Sequence, residues 1–100
     1  MAGFVQIMKF KTARIDEVEQ FAKRMQEDLG AKYLANKATV TADRDEPGTY
    51  WVIVEFDSYD VAMQNSNDPE TDKYATELVT MLDGPPAFHN LDVRTVLTPR

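Results

Sequence analysis

Thr49 to Phe56 carries seven β-branched or aromatic side chains in eight positions. Such a run reads as a strand, with Tyr50-Trp51-Val52-Ile53-Val54 at its heart. Side chains alternate between the two faces of a strand. Tyr50, Val52, Val54 and Phe56 therefore share one face, and Trp51, Ile53, Glu55 and Asp57 share the other. A strand with apolar groups on both faces belongs in the middle of a sheet, with something covering each side.

The other elements follow from their own periodicities. Phe4 to Phe10 is rich in β-formers and reads as a first strand. Asp16 and Glu19 have the spacing of a capping box, with Asp16 as N-cap. Ile15, Val18, Ala22, Met25 and Leu29 then recur at steps of three and four, one helical stripe, and Gly30 stops it. A connector over 31–35 leads to a short, polar second strand, Ala38 to Ala42. Asp43 to Gly48 is a charged turn before the Thr49–Phe56 strand. Asp57 or Ser58 caps a short helix, Tyr59 to Asn65. Asn65-Ser66-Asn67-Asp68 breaks it and Pro69 opens the next, which runs to Leu82 with Ala75, Leu78, Val79 and Leu82 inward. Asp83-Gly84-Pro85-Pro86 ends that helix, and Phe88 to Leu97 is the last strand.

The order is β-α-β-β-α-β, which predicts an α+β fold: a ferredoxin-like, four-stranded antiparallel sheet in one domain spanning 1–100. The first and third strands are expected at the centre, each crossover setting its two strands side by side. Strand 1 places Phe4, Gln6, Met8 and Phe10 on the face expected under the helices. Val5, Ile7, Lys9 and Lys11 fall on the other face with Trp51 and Ile53. That second face holds too much apolar surface for a monomer to leave in water. A second copy of the same sheet is the simplest cover, so a homodimer is expected.

Composition narrows the function. Net charge is −6 and the isoelectric point about 4.6. Phosphate-rich partners need Lys and Arg, so neither nucleic acid nor an anionic membrane surface is expected as a partner. No cysteine is present, which excludes disulfides, thiol catalysis and cysteine-ligated metals. With one histidine and scattered carboxylates no metal site is expected, and no glycine-rich phosphate loop exists. Met1-Ala2-Gly3-Phe4 enters a strand-like pattern without a leader's basic and apolar regions, and no apolar run reaches membrane-spanning length. The expected location is cytoplasmic. The five methionines, Met1, Met8, Met25, Met63 and Met81, point to an adaptable interior.

In its βαββαβ order, its strand-cap-helix segment Val54-Glu55-Phe56-Asp57-Ser58-Tyr59-Asp60-Val61-Ala62-Met63, and its Asn65-Ser66-Asn67-Asp68-Pro69 break, the chain resembles the dimeric α+β barrel superfamily. It is most similar to the antibiotic-biosynthesis-monooxygenase-like branch. The resemblance implies a homodimer with facing sheets and a ligand cavity between sheet and helices in each subunit. It also implies an activity drawn from cofactor-independent oxygenases, haem-degrading enzymes, cyclases or isomerases. Three positions depart from the family pattern. Phe56 stands where the branch often has Trp, Tyr74 is nearest the helical histidine of the haem-degrading members, and Gln6 matches their strand 1 Asn. Those departures speak against haem degradation, and no cofactor is expected.

The candidate ligand-binding residues are Gln6, Tyr33, Asn65, Tyr74 and His89. Gln6 is an amide among Phe4, Met8 and Phe10, so it is either a polar group in a ligand cavity or a structural amide. His89 alone can titrate near neutral pH unperturbed, and is either a general base or a solvated strand-end residue. Tyr33, Asn65 and Tyr74 lie on segments able to rim the cavity, and Tyr74 also reads as a core tyrosine with its hydroxyl at the edge. Asp92 with Arg94, and Lys9 with Glu55, read as ion pairs sharing a strand face. No catalytic set can be assigned. The leading reading is a small-molecule-binding protein, a cofactor-independent monooxygenase or cyclase of secondary metabolism taking a small apolar or aromatic ligand. The alternative is a non-catalytic dimeric module for a ligand or a protein partner.

Overall fold

In the computed structural model the described residues are 3–99, so Met1, Ala2 and Arg100 lie outside them, including the first two residues of the N-terminal reading. The elements in chain order are β1 (Phe4–Lys11), α1 (Ile15–Leu29), a single 3-10 turn (Gly30–Lys32), β2 (Lys37–Ala42), β3 (Thr49–Phe56), α2 (Tyr59–Ser66), α3 (Pro69–Val79) and β4 (Ala87–Asp92). The sheet is four-stranded and antiparallel in the order β2-β3-β1-β4. The fold is α+β and ferredoxin-like, with β1 and β3 at its centre.

The strands joined by each helix are not neighbours, contrary to the expectation from the sequence. β3 lies between β1 and β2, and β1 lies between β3 and β4. Each crossover skips one position, which is what lets all four strands run antiparallel. The centre of the sheet was legible because the both-sided apolar runs mark it; the split was not, because it depends on pairing across long separations.

Three local boundaries also differ. Helix α1 starts at Ile15, with Arg14 at its N-cap and no side-chain cap. The Arg14 N–H donates to Thr12 Oγ1, and the Arg14 carbonyl accepts from Glu17 and Val18. The N-cap thus lies two residues before Asp16. Asp16 and Glu17 occupy that turn, where negative charge complements the helix dipole. Helix α3 stops at Val79 rather than Leu82, and β4 stops at Asp92 rather than Leu97. Asp92 and Arg94 therefore do not share a strand. Of the two residues read as the α2 cap it is Ser58 whose Oγ accepts from Val61 N–H, and Asp68, read only as part of the break, caps α3 by accepting from Glu70 N–H ahead of Pro69. Gly30 ends α1 at φ 54°, a left-handed backbone that glycine adopts without strain.

The helices cover one face of the sheet with two apolar clusters. Phe4, Phe56 and Ala62 form the first, with Ala35, Val54, Val61 and Met63 against it. Phe10, Val18 and Val52 form the second, with Met8, Leu78, Met81 and Leu82 among its neighbours. Burying each phenylalanine contributes roughly 1.5–3 kcal/mol. Val54 touches both clusters, and the sheet row containing it is the seam between them. The inward face of α3 differs from the reading. Tyr74 and Leu78 are half-buried, while Ala75 and Val79 are exposed. Polar contacts join α3 to α1 and the turn after it on that side: Tyr74 OH donates to Asp28 over 2.9 Å, Arg24 meets Glu77 at 2.7 Å, and Lys32 meets Glu70 at 2.9 Å. The Tyr74 ring lies 5.8 Å from that of Phe21.

Candidate functional site

The register places Gln6 in a cross-sheet row, Ala38–Val54–Gln6–Asn90. The next row is Val40–Val52–Met8–Phe88. Both rows face the helices, since Val52, Val54 and Met8 pack into the clusters there. Gln6 Nε2 donates to Asn90 Oδ1 over 3.1 Å, an amide–amide bond between neighbouring strands. At the β4 end the helix cover runs out. Phe88 is 55% exposed, and β4 has no buried residue. The result is an open strip with Met8 and Phe88 as an apolar floor and the two amides beside them. Asp92, two residues beyond Asn90 and opposite Phe4, adds a carboxylate on the same side. The helix-facing positions of the four strands carry no cation.

The other candidates are distributed around the fold. His89 is opposite Ile7 and alternates with Asn90, so it stands on the open face of the sheet, away from Gln6. Tyr74 bonds Asp28 on the α1–α3 surface, a contact that raises its phenol above the ordinary value. Tyr33 is half-buried and lines a cleft of about 260 Å³ between α1 and the edge strand β2, with Ala22, Lys23, Ala38 and Val40. Burial pushes its phenol up. Asn65 is half-buried on α2. Of the five candidates, Gln6 alone belongs to the open strip by register and bonding. Asn90 was missed. Period-2 alternation puts Phe88, Asn90 and Asp92 on one face of β4, but only the β1–β4 register brings Asn90 to Gln6.

The open face of the sheet carries Val5, Ile7, Trp51 and Ile53, each half-buried, with Leu91 46% exposed. Lys9 does not pair with Glu55. The register sets Glu55 opposite Val5 and Lys9 opposite Trp51. Lys9 Nζ instead lies 4.9 Å from the indole centroid and 3.8 Å from Glu46. Among the described residues no three His, Asp or Glu side chains converge as metal ligands, and no helix is long and apolar enough to cross a membrane.

No family model and no curated protein matches this sequence. Solved structures do. SnoaB, a cofactor-independent oxygenase from Streptomyces nogalater, superposes with a TM-score of 0.79 over 100% of both chains at 17% identity. An antibiotic biosynthesis monooxygenase superposes at 0.69, with 92% of this chain, 99% of that one and 13% identity. This chain has the antibiotic-biosynthesis-monooxygenase fold. A conserved protein from Methanosarcina mazei Go1 shares the same fold, with a TM-score of 0.76, 12% identity and coverage of 94% and 95%. In this monooxygenase-type fold the strip at Gln6 is the helix-facing side of the first strand, between the sheet and the helices.

Proposed function

We propose that this chain is a small-molecule-binding protein that works as a homodimer and carries out cofactor-independent oxygenation or cyclisation of an aromatic, polyketide-like molecule. The observation that carries the reading is the Gln6–Asn90 amide pair, set on an apolar strip at the seam of two core clusters. A ligand site of this kind is mostly apolar with a few convergent polar groups. The likeness in fold to SnoaB, itself a cofactor-independent oxygenase, supports the choice of chemistry.

In this reading Met8 and Phe88 stack on the ligand and exclude water, and the amides hold its oxygen atoms. Desolvation then strengthens every polar contact to charge that develops on the ligand. The alternative, a binding module without catalysis, is favoured by one observation: Asp92 is the only acidic or basic side chain at the helix-facing positions of β1 and β4.

The test is native mass spectrometry of protein purified from its own host, as wild type and as Gln6→Leu. The wild type is expected to retain a molecule that Gln6→Leu, still folded, has lost. Equal retention by both removes the site from Gln6. Oxygen uptake when the retained molecule is returned to apo protein separates the oxygenase from the binding module.

A further inference from the structure

The Gln6–Asn90 pair has a hydrogen-bonding remainder that selects a ligand. Each side-chain amide carries an acceptor oxygen and an NH₂ donor. One bond joins the two, from Gln6 Nε2 to Asn90 Oδ1. What remains for a ligand is one amide's carbonyl and the other amide's NH₂. Rotating both amides by half a turn reverses the direction of the bond and swaps the order, yet still leaves one acceptor beside one donor. The pair as a unit therefore presents a mixed edge, whichever way the amides are oriented.

Charge narrows the choice further. A carboxylate offers two acceptors and no donor, so it leaves the free amide carbonyl unmatched. Asp92 stands on the same side, two residues from Asn90. No cation occupies a helix-facing position of the strands to offset it. The floor of Met8 and exposed Phe88 offers a flat apolar surface next to the edge.

Resting on the site reading above, we infer that this site selects planar, neutral molecules that present a hydrogen-bond donor and an acceptor side by side on one edge, as a lactam does, and rejects the matching carboxylates. Gln6 and Asn90 are the specificity-determining residues and Phe88 is the stacking surface. A site built to bond both groups discriminates strongly against an analogue lacking one, because a polar group is then desolvated without a partner.

Four bicyclic probes test this by calorimetric titration with amide NMR mapping: 2-quinolone, 1-methyl-2-quinolone, quinoline-2-carboxylate and naphthalene. 2-Quinolone is expected to bind about 10-fold more tightly than its N-methyl analogue, which has lost the donor. It should exceed the carboxylate by at least as much. The doubly substituted Gln6→Leu/Asn90→Leu protein should bind 2-quinolone and naphthalene alike, with both still shifting Met8 and Phe88. Wild type that binds all four equally, or prefers the carboxylate, overturns the selectivity while leaving an apolar site in place. Binding of no probe at Met8 and Phe88 overturns the site and this inference together.

Discussion

The Trp51 indole N–H donates to one carboxylate oxygen of Asp43 over 2.9 Å, while the other oxygen accepts from the backbone N–H groups of Asp45 and Glu46. One side chain thus closes the β2–β3 turn and pins the largest aromatic group on the open face of the sheet. Those bonds, the indole's first and the Asp45 N–H next, hold the Asp43 carboxyl below the ordinary carboxylate value. Stabilisation from a depressed carboxyl is fully present above its unfolded value of about 3.9 and is lost as pH falls through the lower folded value. Asp43→Ala is expected to lower the melting temperature at pH 7 and to shift Trp51 fluorescence. The gap to wild type should close at the acid end, as pH falls through the depressed folded value and the carboxyl protonates. A gap that stays constant from pH 7 to 2 would show that the carboxylate's charge is not involved.

Gly3 marks a close approach of chains. Its N–H donates to the Phe56 carbonyl and its own carbonyl accepts from Val93 N–H. A Cβ placed there would stand 2.5 Å from the Asp57 carbonyl oxygen, a backbone atom with no room to yield. Gly3→Ala should therefore push the start of β1 away from the end of β3 and disturb Phe4 and Phe56 behind it. The expected cost is about 1–3 kcal/mol, read by urea denaturation. An unchanged midpoint would mean that the approach relaxes freely.

Much of this fold was written in local pattern. The bounds of β3 follow from its β-branched and aromatic run, and Gly30 and Ser58 mark helix ends through backbone and capping chemistry that acts within a few residues. The face of Gln6 followed from alternation alone. What escaped the sequence depends on pairing at a distance. Lys9 was set against Glu55 because both share a face, but the register places them four residues apart. Ala75 and Val79 fit an inner stripe, yet they face water, while Tyr74 and Leu78 are half-buried and Tyr74–Asp28 and Arg24–Glu77 contacts join α3 to α1. Asn90 became visible as half of the site only through a contact spanning 84 residues of sequence.

Tyr74 gives a test of the haem reading. In the family resemblance read from the sequence, it is the nearest match to the helical histidine of the haem-degrading members, a position from which this chain departs. Its hydroxyl is held by Asp28 over 2.9 Å on the α1–α3 surface, away from the sheet face where Gln6 lies. Haem titration should give no tight, stoichiometric Soret band. A band that saturates at one equivalent, and disappears in Tyr74→Phe, would overturn this and make Tyr74 an iron ligand.

Ile53 gives the test of the dimer. It is half-buried at the centre of the open face, paired with Ile7 on β1 and Thr39 on β2. Val5, Trp51 and the exposed Leu91 extend the apolar area around it. The subunit's helices pack on the other side of the sheet, so they do not take this face from water. In a homodimer with facing sheets, Ile53→Glu would bury an unpaired carboxylate in both subunits. Breaking the balance of a buried charge costs about 3–5 kcal/mol, which is more than 100-fold in the dissociation constant. Sedimentation velocity at micromolar concentration should show wild type at twice 11.4 kDa. Ile53→Glu should run as the monomer or aggregate, while Ile53→Val keeps the dimer. Wild type found only at 11.4 kDa would remove the dimer. A dimer undisturbed by Ile53→Glu would move its interface off this face.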